Sequence, residues 1–134
     1  MVAIARCAVC GCVSICLIAG GKATVFAASL FTLSWTHSVE KILWEEDWRL
    51  VPAGLELVEA RVRGSGAGME IPDGAVLKDG AWAYRPALAP QKRIALARSG
   101  ATGGGWKLCG EDACTEIGQQ AGEPTVIEAC DDRR

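Results

Sequence analysis

His37 is the only histidine in the 134 residues, and it stands where an ionisable ring is costly. It lies in Phe31–Thr32–Leu33–Ser34–Trp35–Thr36–His37–Ser38–Val39–Glu40, in which apolar and polar side chains alternate. That two-residue period is the mark of a half-buried strand, with Phe31, Leu33 and Trp35 inward and Thr32, Ser34, Thr36 and Ser38 outward. His37 has the inward parity, and a buried imidazole needs a partner. Glu46 repeats the anomaly on a second run, in phase with Trp44, Trp48 and Leu50 and out of phase with Glu45, Asp47 and Arg49. If the two runs pair antiparallel, one register sets His37 against Glu46, Trp35 against Trp48 and Leu33 against Leu50. A slip by two sets Trp35 against Glu46 and leaves His37 one step away on the same face. In either case the carboxylate favours the imidazolium, and burial opposes it.

Three roles suit such a pair. It can lock strand register and do nothing more. It can bind a ligand or contact a protein, together with Ser38, Glu40 and the loop Gly64–Ser65–Gly66–Ala67–Gly68–Met69, because glycines let backbone amides approach a ligand closely. Or His37 can be the general base of a small hydrolase or isomerase, oriented by Glu46. That last role needs a nucleophile, Ser38 or Ser65, and Ser65 does not sit in the Gly-x-Ser-x-Gly elbow between a strand and a helix. Nor is the loop a phosphate cradle, since no Gly-Lys-Ser/Thr follows it. The leading expectation is a non-enzymatic binding site of His37, Ser38, Glu40, Glu46, Ser65, Gly66, Gly68 and Met69, without a catalytic residue or a cofactor.

Seven cysteines add a second chemistry. Cys109 and Cys114 flank Gly110–Glu111–Asp112–Ala113. With Glu111–Asp112 as a turn they fall directly opposite each other, the close cross-strand position where a disulfide forms. The same register pairs Lys107 with Glu116 on that face and puts Trp106 beside Ile117 on the other. A second pair, Cys16 with Cys130, would tie the first strand to the last, although no spacing argument selects it. Cys7, Cys10, Cys12 and Cys16 invite a four-thiolate zinc site. The residues between them lack polar loop chemistry and no second Cys-x2-Cys follows, so no metal is expected. An odd count leaves at least one thiol free.

The elements that must position these groups are short strands. Val13–Ala19 and Ala23–Ala27 flank a Gly20–Gly21–Lys22 turn, ahead of runs 30–38 and 42–51. Pro52–Ala53–Gly54 is turn chemistry. In Leu55–Val62 the apolar parity breaks between Leu57 and Val58, the signature of a bulge. Asp79–Gly80 supplies the positive φ of a tight hairpin whose return strand carries Trp82 and Tyr84. Arg93–Arg98, with Ile94 and Leu96 on one face, then Trp106–Cys109, Cys114–Ile117 and Thr125–Ala129 complete the set. No segment keeps a helical period. The fold expected is all-β, one antiparallel sandwich or irregular barrel of about nine to ten short strands. It spans 13–130, behind a ragged apolar leader (1–12) and ahead of a charged tail (131–134).

Half the residues are apolar, enough for a packed core, and a net charge of −2 with no basic stripe argues against a nucleic-acid partner. Residues 8–20 are apolar but shorter than the roughly 20 residues a membrane span needs. They lack a clean signal-cleavage site before Lys22, so the reading preferred is a first strand, with a cleaved signal as the alternative.

On Phe31–Glu40, Glu46–Asp47–Trp48–Arg49–Leu50 and Gly64–Met69, the chain resembles a bacterial family of small all-β proteins classed as a domain of unknown function. Its members are encoded beside the permease and substrate-binding protein of TAXI-type TRAP transporters. The resemblance implies an accessory role in solute uptake, with a transporter permease or substrate-binding protein as partner and membrane contact only through it. Some relatives carry an N-terminal membrane anchor, which implies work in the periplasm. This chain shows no convincing anchor, so a cytoplasmic location stays open.

Overall fold

The computed structural model describes residues 14–36, 42–63, 73–98, 105–118 and 122–130, and all of its regular structure is strand. Eleven strands follow one another: β1 (Ile15–Ala19), β2 (Lys22–Phe26), β3 (Leu30–Thr36), β4 (Leu43–Val51), β5 (Gly54–Arg63), β6 (Val76–Lys78), β7 (Ala81–Tyr84), β8 (Arg93–Arg98), β9 (Trp106–Cys109), β10 (Cys114–Ile117) and β11 (Gly122–Ala129). They form two antiparallel sheets, one of four strands in the order β2-β1-β11-β8 and one of seven in the order β10-β9-β3-β4-β5-β7-β6. The all-β expectation holds, with one or two strands more than the turn signals suggested; the three-residue β6 is too short to show a period of its own.

Alternation decides which side of each strand is buried. Phe31 and Leu33 on β3, Trp48 on β4, Leu55 and Leu57 on β5, and Leu108 on β9 meet Ile15, Leu96 and Ile127 of the smaller sheet in one apolar cluster. β5 changes parity as its sequence demands. Asp47 lies opposite Glu59 and Trp48 opposite Leu57, so Val58 is the extra residue of a bulge. That lets Leu55 and Leu57 before it, and Ala60 and Val62 after it, all turn inward. Arg85 Nε donates to the carbonyl of Val58, 3.1 Å away, at the point where the ladder is interrupted.

The turns follow local chemistry. Asp79 and Gly80 have φ of 51° and 80°, the mirror-image turn that a two-residue hairpin between Lys78 and Ala81 requires. Gly54, at φ 135°, leaves room for the backbone of Gln91, and Leu55 and Gln91 exchange hydrogen bonds of 2.7 and 2.8 Å. This bridge pins the segment before β8 to the larger sheet.

Both expected disulfides are present. Cys109 and Cys114 pair directly across the β9–β10 hairpin with their Cα atoms 4.0 Å apart, and Lys107 faces Glu116 and Trp106 faces Ile117 in the register expected. Cys16 and Cys130, separated by 114 positions, join β1 to the end of β11 with Cα atoms 5.0 Å apart. The Cys130 amide donates to the Ser14 carbonyl at 3.2 Å. A shallow groove lined by Val51, Gly54, Lys92, Glu128 and Ala129 sets the end of β11 beside the β4–β5 turn. That end of the molecule is the one remote from the paired residues Thr36 and Leu43.

Candidate functional site

The larger sheet has two unlike faces. On the outer face, Arg61 of β5 gathers three carboxylates: its Nη1 and Nη2 donate to Asp47 at 2.7 and 2.9 Å, Nη1 to Glu59 at 3.0 Å, and Nε to Glu45 at 3.2 Å. Thr32 Oγ1 donates to the same Asp47 carboxylate at 2.8 Å. The guanidinium beside it holds the Asp47 carboxyl below its ordinary range against the opposing effect of burial, and Arg61 in turn keeps its proton more firmly. Every group in this cluster has its partner, so it reads as a brace across β3, β4 and β5.

The inner face carries the polar anomaly that the sequence flagged. Glu46 is half-buried and in register with Leu33 on β3 and Ala60 on β5. Its carboxylate accepts a hydrogen bond from Trp48 Nε1 at 3.0 Å. Burial pushes the Glu46 carboxyl above the usual range, and the indole hydrogen bond only partly restrains it. Across Ala60 stands Tyr84 of β7, whose hydroxyl is pushed up by burial and then by the Glu46 charge.

Next to this row runs a second. Trp44 faces Val62, and Val62 faces Trp82. Trp35 lies opposite Trp44 with the rings stacked, 5.9 Å between centroids and 18° between planes. Trp106 tilts against Trp35 at 4.6 Å and 49°. The main apolar cluster takes in no residue of β6 or β7, and Trp35, Trp44, Trp82 and Tyr84 stay partly exposed beyond it. Sequence parity put Trp35, Trp44 and Glu46 on this face; it did not single out Trp82 and Tyr84 as their companions. The signal was there in the equal spacing of Trp44 and Glu46 on β4 and of Trp82 and Tyr84 on β7.

The expected register does not hold. Glu46 lies opposite Leu33, Trp48 opposite Phe31, and Trp44 opposite Trp35, a shift of four residues from the pairing of Trp35 with Trp48 and of two from Trp35 with Glu46. The indole stack on one face and the Thr32–Asp47 hydrogen bond on the other both select the observed alignment. An even shift keeps every side chain on its face, so parity alone could not distinguish the registers. His37, Ser38, Glu40, Ser65, Gly66, Gly68 and Met69 lie outside the described residues. Thr36 and Leu43, which flank residues 37–41, pair with each other, and Trp44 pairs with Val62 next to Arg63, which precedes residues 64–72. The described residues that border both segments therefore lie at the end of the larger sheet that carries the tryptophan row. For the zinc reading, Cys16 is engaged by Cys130 and withdrawn from the four-thiolate set.

Residues 31–117 match a family described as a domain of unknown function, DUF1850. The chain belongs to that family. The DUF1850 match opens at Phe31 in β3 and closes at Ile117 in β10, so all seven strands of the larger sheet fall within it, along with Glu46, the tryptophans and the Cys109–Cys114 hairpin. β1, β2 and β11 lie outside the DUF1850 span, and so does the Cys16–Cys130 bond. No curated protein and no solved structure matches the chain.

Proposed function

We propose that this chain is a non-enzymatic binding module, an accessory to TRAP-type solute uptake that contacts a transporter component or its solute at the tryptophan end of the larger sheet. One observation carries the reading: Glu46 sits half-buried on the inner, apolar face, hydrogen-bonded to the Trp48 indole and on the same face as the partly exposed rings of Trp44 and Tyr84. Burial disfavours the charge of a carboxylate there, and a neutral acceptor would serve the Trp48 N–H as well, which favours recognition as its role. His37, Ser38 and Glu40 follow β3 and Ser65, Gly66, Gly68 and Met69 follow β5, and we assign them to the same site. Two disulfides favour an oxidising compartment. The periplasm, where solute-binding components of such transporters work, is the compartment we assign.

Co-purification tests this directly. The tagged chain, expressed with the permease and the substrate-binding protein, is expected to retain one of them, and His37→Ala and Glu46→Gln are expected to weaken the association. If the wild type retains neither component under conditions where those two associate with each other, the transport role is wrong.

A further inference from the structure

The corner formed by β4, β5 and β7 has a definite shape on its inner face. β5 supplies the compact pair Ala60 and Val62, 5% and 0% exposed. Glu46 and Trp44 flank them in register on β4, and Tyr84 and Trp82 flank them on β7. Trp35 extends the wall by stacking on Trp44. The register thus puts two indoles and a phenol on the same face as one carboxylate, in two neighbouring rows with no long side chain on β5 between them.

The distribution of positive charge is as informative. The ion pairs among the described residues involve Arg49, Arg61, Arg63, Lys78 and Arg93, and none of them includes Glu46. In the ladder, Arg49, Arg61 and Arg63 alternate with the inward residues and belong to the outer face. On the inner face of β3, β4, β5 and β7 the described side chains are apolar or aromatic, apart from Glu46 and Tyr84. Among the described residues, the hydrogen bond to Glu46 comes from the Trp48 N–H, a neutral donor to one of its two oxygens.

We propose that this corner receives an organic cation, an ammonium or guanidinium group, with Glu46 supplying the counter-charge and Trp44, Trp82 and Tyr84 the aromatic walls. The inference rests on the binding reading above and adds the chemistry of what is bound. Indole and phenol faces attract cations through their quadrupole, and most strongly where water is partly excluded. Among the described residues the partly desolvated carboxylate has no ion-pair partner, so a cation is the group whose arrival offsets that penalty. An anion would meet both the Glu46 charge and the negative faces of the rings. A neutral ring could stack on the indoles but would leave the carboxylate uncompensated.

The test uses the full chain with its disulfides intact and follows tryptophan fluorescence, backed by calorimetry. The probes are choline, its uncharged carbon isostere, agmatine, a short arginine-containing peptide, and succinate. Choline and agmatine are expected to give saturable changes that the isostere and succinate do not. Glu46→Gln, which keeps shape and the acceptor for Trp48, should weaken the cation on the order of tenfold. Tyr84→Phe should weaken it less. Binding should also fade in acid as Glu46 protonates; of the described residues that face it, Leu33, Ala60 and Tyr84, Tyr84 alone titrates, in alkali. Tighter binding of the arginine peptide than of agmatine makes the cation a partner's side chain; equal or weaker binding makes it a free solute, and either supports the inference. Equal binding of choline and its isostere, unchanged binding by the folded Glu46→Gln protein, no response to any cation, or preference for succinate overturns it. The transport reading stands or falls separately, on co-purification.

Discussion

Glu46 and Asp47 are neighbours in sequence with opposite fates. Asp47 points outward to Arg61 and Thr32, and its folded pKa is lowered. Its contribution to stability is therefore present above the ordinary aspartate range and is lost as pH falls through the depressed value. Arg61→Ala should cost about 1–3 kcal/mol at neutral pH, because it leaves three half-buried carboxylates side by side, discounted for their partial exposure. Urea titrations at neutral and strongly acid pH should show that gap closing as the carboxylates protonate; a constant gap would remove the ionic account. Glu46 has the reverse sign. Its folded pKa is raised, so the stability it contributes is complete below the ordinary glutamate range and declines as pH rises through the folded value. Glu46→Gln is expected to gain stability relative to wild type between acid and neutral pH, measured by the same unfolding curves. A parallel pH dependence in the two proteins would contradict the burial of that charge.

At the scale of the strand, β5 is the element on which both faces depend. Its bulge at Val58 lets two inward pairs on either side of it remain inward. Deleting Val58 should make the strand regular and, because Leu55, Leu57, Ala60 and Val62 then fall in one unbroken alternation, keep all four inward in the same register with β4. The expected outcome is a cooperative unfolding transition that persists, read by circular dichroism in urea, with the loss confined to the Arg85 hydrogen bond at the Val58 carbonyl; disappearance of the transition would contradict the bulge. A milder change tests the turn before it. Gly54→Ala would press a methyl group into the Gln91 carbonyl at a φ that side chains avoid, at a cost of about 2–3 kcal/mol. The bulge was legible because Leu55 and Leu57 break step with Ala60 and Val62 in the sequence itself. The β9–β10 hairpin was legible because the spacing of Cys109 and Cys114, the Lys107–Glu116 pair and the Trp106–Ile117 pair all demand one register. The β3–β4 register was not, because alternation repeats every two residues and four-residue shifts satisfy it equally. Only the particular ring contacts between Trp35 and Trp44 break that degeneracy. The roles of Trp82 and Tyr84 were hidden for a related reason, since β7 finds its neighbour β5 only through the intervening chain.

For the whole molecule, the two disulfides divide the work unequally. Closing the 114-position loop between Cys16 and Cys130 removes far more freedom from the unfolded chain than closing the 5-position loop between Cys109 and Cys114. Chain-entropy arithmetic gives about 4–5 kcal/mol for the long loop and about 2 kcal/mol for the short one. Replacing each pair by Ser and comparing urea midpoints should reproduce that order; a larger loss from the hairpin pair would mean that the Cys109–Cys114 bond acts through the native state. The long bond also ties together elements outside the family's matched span, β1 and β11, so in this chain the seven-stranded sheet rests on a cross-linked second layer.

The meeting of Ser14 with Cys130 has a directional consequence. Both residues lie at the pole of the sandwich away from the stacked indoles. A linker or bead attached at that pole would hold the molecule by its back and leave the opposite end, with the partly exposed Trp44, Tyr84 and Glu46, free to be probed.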